Sequence, residues 1–169
     1  MKDIIKDFLG ILVLVLLQIL VFNQITLFGY GCVFAYLLFI IVTPLNIKTI
    51  PSMLIAFAVG LTIDVFSQSY GVHTFAATLV AAIRRGVLNL FFSKDELEYN
   101  TSLFVKFSYD YYKYIVVIVL IYCFTVFSLE AFSFKLILPI LQKTGVSTLI
   151  TSVVIFFIQS VTLKKYNER

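Results

Sequence analysis

Residues 8–47 read FLGILVLVLLQILVFNQITLFGYGCVFAYLLFIIVTPLNI, forty positions without one Asp, Glu, Lys or Arg. As one α-helix at 1.5 Å per residue the run would measure about 60 Å, twice the roughly 30 Å hydrocarbon core of a bilayer. The chain must therefore cross, turn and return. Phe28-Gly29-Tyr30-Gly31 supplies the turn, with two glycines in four residues. The spacing predicts a first helix over 8–27 and a short second one over 31–42, interrupted by Thr43-Pro44.

Working outward, Pro51 opens a third helix over 51–66, since a proline at the first helical position loses no needed N–H. Ser67-Gln68-Ser69-Tyr70-Gly71 reads as a tight polar turn into a fourth helix over 72–92. Ser93 with Glu96 matches a capping box at the head of 93–113, the one long charge-rich segment. A fifth helix follows over 114–129, with room to extend N-terminally, and a sixth over 145–163. The connection 130–144 carries Lys135, Pro139 and Lys143. Lys2 and Lys6 precede an apolar run too long for a signal-peptide core, and no A-x-A site follows, so the first helix is expected to be retained. The expected fold is all-α: a polytopic integral membrane bundle of about six transmembrane helices, one domain over 1–169.

Composition agrees. Hydrophobic residues are 61% of the 169 and charged ones 13%, about half the usual share, with mean hydropathy +1.03. Such a chain is neither a soluble domain, nor disordered, nor a nucleic-acid-binding module. The net charge of +4 marks membrane sidedness instead. With a cytoplasmic N-terminus and six crossings, eleven cations fall inside: Lys2, Lys6, Lys48, Arg84, Arg85, Lys94, Lys106, Lys113, Lys164, Lys165 and Arg169. Lys135 and Lys143 alone fall outside. There is no Trp, so Tyr109, Tyr111, Tyr112 and Tyr114 are expected to form the aromatic belt where the fifth helix enters the membrane.

Few residues point to chemistry. Cys32 and Cys123 lie in apolar runs without a Cys/His cluster, so neither zinc nor a disulfide is expected. The sequence offers no Ser-His-Asp set, no paired carboxylates, no phosphate loop and no metal-ligand spacing. No cofactor, metal or catalytic residue is therefore expected, and the chain reads as a non-enzyme. Asp64, alone between Asp7 and Asp95, falls near the outer boundary. It reads either as a polar partner contact or as a cap for the turn and the next helix. Ala56-x-x-x-Gly60 lies on the same helix face, and Ala76, Ala77, Ala81 and Ala82 answer it on the fourth helix. Small residues at this spacing let helices approach closely in lipid, within one chain or between two. Arg84 and Arg85 are expected in the inner third of the bilayer, snorkelling to the headgroups, and too far along the hairpin to pair with Asp64. His73, the one histidine, follows Gly71 in the outer turn and reads as a minor structural contact. With Asn23, Gln24, Asp64 and Glu130 it is placed on a polar outer rim.

The segment Gly60-Leu61-Thr62-Ile63-Asp64-Val65-Phe66-Ser67-Gln68-Ser69-Tyr70-Gly71-Val72-His73-Thr74-Phe75-Ala76-Ala77 resembles the core signature of the MreD family of rod shape-determining membrane proteins. There a G-L-x-x-D stretch ends one helix, a short turn ends in Gly and an Ala-rich helix follows, with an Arg further on that Arg84 or Arg85 matches. Leu17-Gln18-Ile19-Leu20-Val21-Phe22-Asn23 with Leu27-Phe28-Gly29-Tyr30 is similar to the divergent Bacteroidetes-type form. The long charged segment 93–113 is less typical of the family. The resemblance implies a non-catalytic component of the cell-elongation complex in the bacterial inner membrane, with both termini cytoplasmic. It implies binding to an MreC-like protein and, through it, to MreB, RodA and a class B penicillin-binding protein. Partner-binding or structural roles would fall on Ala56, Gly60, Asp64, Gly71, His73, Arg84 and Arg85. Membrane lipid is the other expected contact; nucleic acid and a small-molecule substrate are not. The family fold is similar to the six-helix substrate-binding subunits of energy-coupling-factor transporters, which supplies the alternative: a membrane subunit binding a vitamin-type molecule. The first helix lacks the Ala-x-x-x-Ala docking face such subunits use.

The charge split makes a direct forecast. Reporter fusions after Tyr70 and at the C-terminus should report opposite sides of the membrane, the C-terminal one cytoplasmic.

Overall fold

The computed structural model describes residues 2–22, 31–44, 47–93, 109–131 and 137–167. The elements found among them are six helices: α1 (Lys2–Leu20), α2 (Leu37–Val42), α3 (Thr49–Ser67), α4 (Val72–Phe91), α5 (Tyr109–Ala131) and α6 (Ile137–Asn167). Four of them, α3 to α6, are long and apolar enough to cross a membrane, and Leu9–Leu20 forms a shorter apolar helix.

Polarity is distributed from the inside out. Ile50, Leu54, Val65, Phe66, Leu90, Leu149, Val153 and Phe157 are each more than 60% exposed. Gln18, Asp64, His73, Arg84, Ser147, Thr151 and Gln159 are all buried. A soluble domain of this size would aggregate through that surface. In lipid the same surface is matched, and interior polar groups hold the helices together.

Helix α4 is the hub. It packs on α3, α5 and α2, while α5 pairs with α6 and α1 lies against α3. The α3–α4 contact is the closest because of small residues. Ser52, Ala56, Val59, Gly60, Ile63 and Asp64 recur at helical spacing and form the buried face of α3. Ala76, Ala77 and Ala81 meet them from α4, with Val80 between. A Cβ placed on Gly60 would come within 2.6 Å of Thr74 Cα and 3.0 Å of the His73 carbonyl oxygen. The glycine therefore lets two backbones touch, and the contact lies within this chain's own hairpin.

Four elements differ from the expected bounds. The second helix does not run over 31–42. Residues 31–36 are not helical, and α2 is only the six residues Leu37–Val42, about 9 Å long. It begins with three-residue bonds: Leu37 N–H to Phe34, Leu38 N–H to Ala35 and Phe39 N–H to Tyr36. Pro44 ends it, holding Thr43 in an extended conformation (φ −44°, ψ 129°). The sixth helix starts eight residues early, at Ile137, with Pro139 in its first turn, where the missing N–H has no intrahelical role. The fifth extends back to Tyr109. The first ends at Leu20, and the turn expected at Phe28–Gly31 falls mostly outside the described residues, as do Glu96 of the capping box and most of 93–113.

Gly60→Ala should lower the melting temperature in detergent, since overpacking of this kind costs about 1–3 kcal/mol. Gly60→Leu should remove most folded protein. Gly86→Ala, whose new methyl would meet nothing within 4 Å, should behave as wild type.

Candidate functional site

The polar groups converge on three places along α4. At its start, Gly71 occupies the N-cap in a left-handed conformation (φ +90°) and has no side chain to offer the free N–H groups. Asp64, from the last turn of α3, supplies the acceptor instead. One carboxylate oxygen accepts the His73 N–H at 3.0 Å and the Ser69 hydroxyl. The other accepts the Thr74 N–H at 2.7 Å and the Thr74 hydroxyl. An anion at a helix N-terminus is also favoured by the helix dipole. Of the two readings of Asp64, the carboxylate acts as the cap, 5% exposed and fully engaged. Gly60 lies one turn earlier on the same face, so both residues meet Thr74. The turn itself holds Gln68 and Tyr70 at φ +54° and +50°.

Further in, His73 turns its ring towards the core rather than to an outer rim. Its Nδ1 is 2.7 Å from the Tyr122 hydroxyl, which is in turn hydrogen-bonded to the Tyr36 hydroxyl. Phe34 packs edge-on to Tyr122 with ring centroids 5.0 Å apart, and lies 5.6 Å from His73. His73 is 6% exposed, so the expected loop position is corrected: the residue is the second of α4 and ties α4 to α5 and to the segment before α2. Glu130 is exposed, whereas Asn23 and Gln24 lie outside the described residues.

Near the other end of α4, Arg84 does not snorkel. It is 6% exposed and faces the C-terminus of α2. Its Nη2 donates to the Ile41 carbonyl at 3.3 Å and to the Thr43 carbonyl, and its Nε donates to the Tyr114 hydroxyl at 3.2 Å. The last carbonyls of a helix are unmatched and carry the negative end of its dipole, so a cation is favoured there. Arg85, the next residue, is exposed. The tyrosine belt divides likewise. Tyr109 and Tyr112 are exposed, while Tyr111 and Tyr114 are buried and bonded to Gln159 and Arg84.

A fourth place, off α4, is the non-helical stretch ahead of α2. Its backbone groups, deprived of helical partners, are taken by side chains. Gln18 of α1 donates to the Val33 carbonyl at 2.7 Å and accepts the Ala35 N–H at 2.9 Å. Ser147 of α6 accepts the Cys32 N–H at 3.0 Å. Thr151, one turn on, accepts the Phe34 N–H at 3.2 Å and donates to the Cys32 carbonyl. Non-helical backbone at membrane depth is tolerated only when satisfied in this way.

Gly60, Asp64, Gly71 and His73 are thus brought together at one end of the α3–α4 hairpin, with Ala56 on the same face of α3 about two turns from Asp64. Arg84 stands eleven residues down α4, about 16 Å away. Sequence reasoning missed Gln18, Tyr36, Tyr114, Tyr122, Ser147 and Thr151 as participants. Gln18, a lone amide in a Leu/Ile/Val run, and the inward recurrence of Thr144, Ser147, Thr148, Thr151 and Ser152 were the available signals. Among the described residues no group of three His, Cys, Asp or Glu is placed to hold a metal ion.

Asp64→Leu should cost about 1–3 kcal/mol for each donor left unmatched and sharply lower membrane abundance. Asp64→Asn, which keeps an acceptor oxygen, should lose less. Arg84→Leu should destabilise the protein by a few kcal/mol, with Arg85→Leu close to neutral. Thermal melts of the purified variants in one detergent check all four.

Comparison with family models, with curated proteins and with solved structures finds no match to this chain.

Proposed function

We propose that this protein is a non-catalytic scaffold of the cell-elongation complex, similar to MreD proteins. It would sit in the bacterial cytoplasmic membrane, crossing it about six times with both termini inside. It would hold an MreC-like protein and, through it, MreB, RodA and a class B penicillin-binding protein, in support of lateral peptidoglycan synthesis and rod shape. The observation that carries the reading is how the signature residues are used. Gly60, Asp64, Gly71 and Thr74 form one locked corner, and each polar group of Asp64 is engaged within the chain. A corner of this kind fixes the shape of a bundle that presents large apolar surfaces to lipid and to other membrane helices.

The broken segment before α2 favours a second reading. Transporters build ligand sites at discontinuous helices, where unwound backbone and half-helix ends point at substrate. Here the corresponding groups are taken by Gln18, Ser147, Thr151 and Arg84. The vitamin-type transport subunit is therefore the weaker of the two.

Depletion in the native host decides between them. The scaffold reading expects rods to round up, and an MreC-like protein to be retained on the affinity-tagged chain in mild detergent. Unchanged shape with lost uptake of a vitamin would replace it with the transport reading. A gene neighbourhood holding mreB-type and mreC-type genes, rather than transporter ATPases, is the concordant observation.

A further inference from the structure

Helix α6 carries its hydroxyls inward. Thr144, Ser147, Thr148, Thr151 and Ser152 are at most 5% exposed, whereas Leu149, Val153 and Phe157 on the other side are at least 65% exposed. Ser147 and Thr151 serve the segment ahead of α2. The remaining three form a separate line at four-residue spacing, about 6 Å from one to the next. Thr144 Oγ1, Thr148 Oγ1 and Ser152 Oγ have no hydrogen-bond partner, and the polar side chain near Thr148 is the Cys123 thiol.

Elsewhere in this chain, buried or lipid-facing threonines solve the same problem locally. Thr43, Thr62, Thr78 and Thr125 each donate to the carbonyl four residues back, at 2.7–2.9 Å. Thr144, Thr148 and Ser152 do not. By helical spacing they share the side of α6 that carries Gln159, which meets Tyr111 of α5. Two contacts set the antiparallel register there: Gln159 with Tyr111 at 2.6 Å, and Thr148 beside Cys123. That register puts Ser152 level with Val119 and Thr144 level with Phe127. The α5 residues at those two levels are thus apolar.

A buried hydroxyl left unmatched costs about 1–3 kcal/mol, and native interiors relieve such costs with ordered water. A gap of about 6 Å between hydroxyls is two hydrogen bonds long. We propose that the α5–α6 seam is a hydration site: two ordered water molecules, one bridging Thr144 and Thr148 and the other bridging Thr148 and Ser152. Gln159 Oε1, 1% exposed and also unmatched, takes a third water near the other end of the seam. Ile155, fully buried between Ser152 and Gln159, separates the two groups. The site is a pair of wet pockets and not a continuous pore.

Cys123 is the built-in reporter, because it is fully buried and adjoins Thr148. Radiolytic pulses on the full chain in nanodiscs, in ¹⁸O-labelled water, generate hydroxyl radicals from bound water as well as from bulk. Mass spectrometry should find ¹⁸O on Cys123 in wild type and a several-fold lower yield in the Thr148→Val/Ser152→Ala protein. Melting temperature gives a second reading. Loss of bridging hydroxyls should lower it, whereas removal of unmatched hydroxyls from a dry seam would raise it. An unlabelled Cys123 in wild type overturns the proposal, and that measurement requires no variant to fold. Labelling that the double variant leaves unchanged, or a raised melting temperature, overturns it as well.

Discussion

A helix that begins or ends within a bilayer leaves backbone groups with no water to satisfy them, and each unmatched group costs several kcal/mol. Among the described residues the start of α4 poses this problem, because the N-cap is a glycine without a side chain. Asp64 resolves it from the neighbouring helix, and the resolution works only if α3 and α4 are close enough for the carboxylate to reach two successive N–H groups. Gly60 makes that approach possible. The cap, the missing Cβ and the left-handed turn are therefore one device. With α4 fixed at its start, the positions of α5 and α2, which pack along it, follow.

The same rule explains the polar groups around α2. The stretch 31–36 leaves the helical path, and its amides and carbonyls are met by Gln18, Ser147 and Thr151 from two other helices. At the far end of α2, Arg84 meets the freed carbonyls. The short helix is thus held at both ends by side chains of its neighbours. Its own six residues, of which Leu37, Leu38, Ile40 and Ile41 are buried, supply the apolar packing between those ends. Polar residues here act as connectors of backbone and leave the outer surface to lipid.

The long charge-free runs and the turn at Ser67–Gly71 made α3, α4 and most of α5 legible, and the Ala56–Gly60–Asp64 spacing correctly marked a close helix contact. What stayed hidden depended on distant residues. Nothing near Gly31 announces that 31–36 will unwind, because the partners that permit it are Gln18 and two hydroxyls more than a hundred residues away. Arg84 was read by its depth along a helix, which points to the headgroups; the carbonyls that hold it belong to an element whose end could not be placed beforehand. Pro139 suggested a linker because a proline marks either a helix start or a break, and only tertiary packing separates the two. His73 looked like a lone loop residue since its partner Tyr122 lies on a helix 49 positions on.

The dependence of 31–36 on α6 also constrains how the protein is made. Ser147 and Thr151 emerge from the ribosome more than a hundred residues after Cys32 and Phe34. Until then, the amides they will accept have no membrane-compatible partner in their final geometry. The mature geometry of 31–36 therefore waits for α6, which acts as the latch on a segment translated long before it.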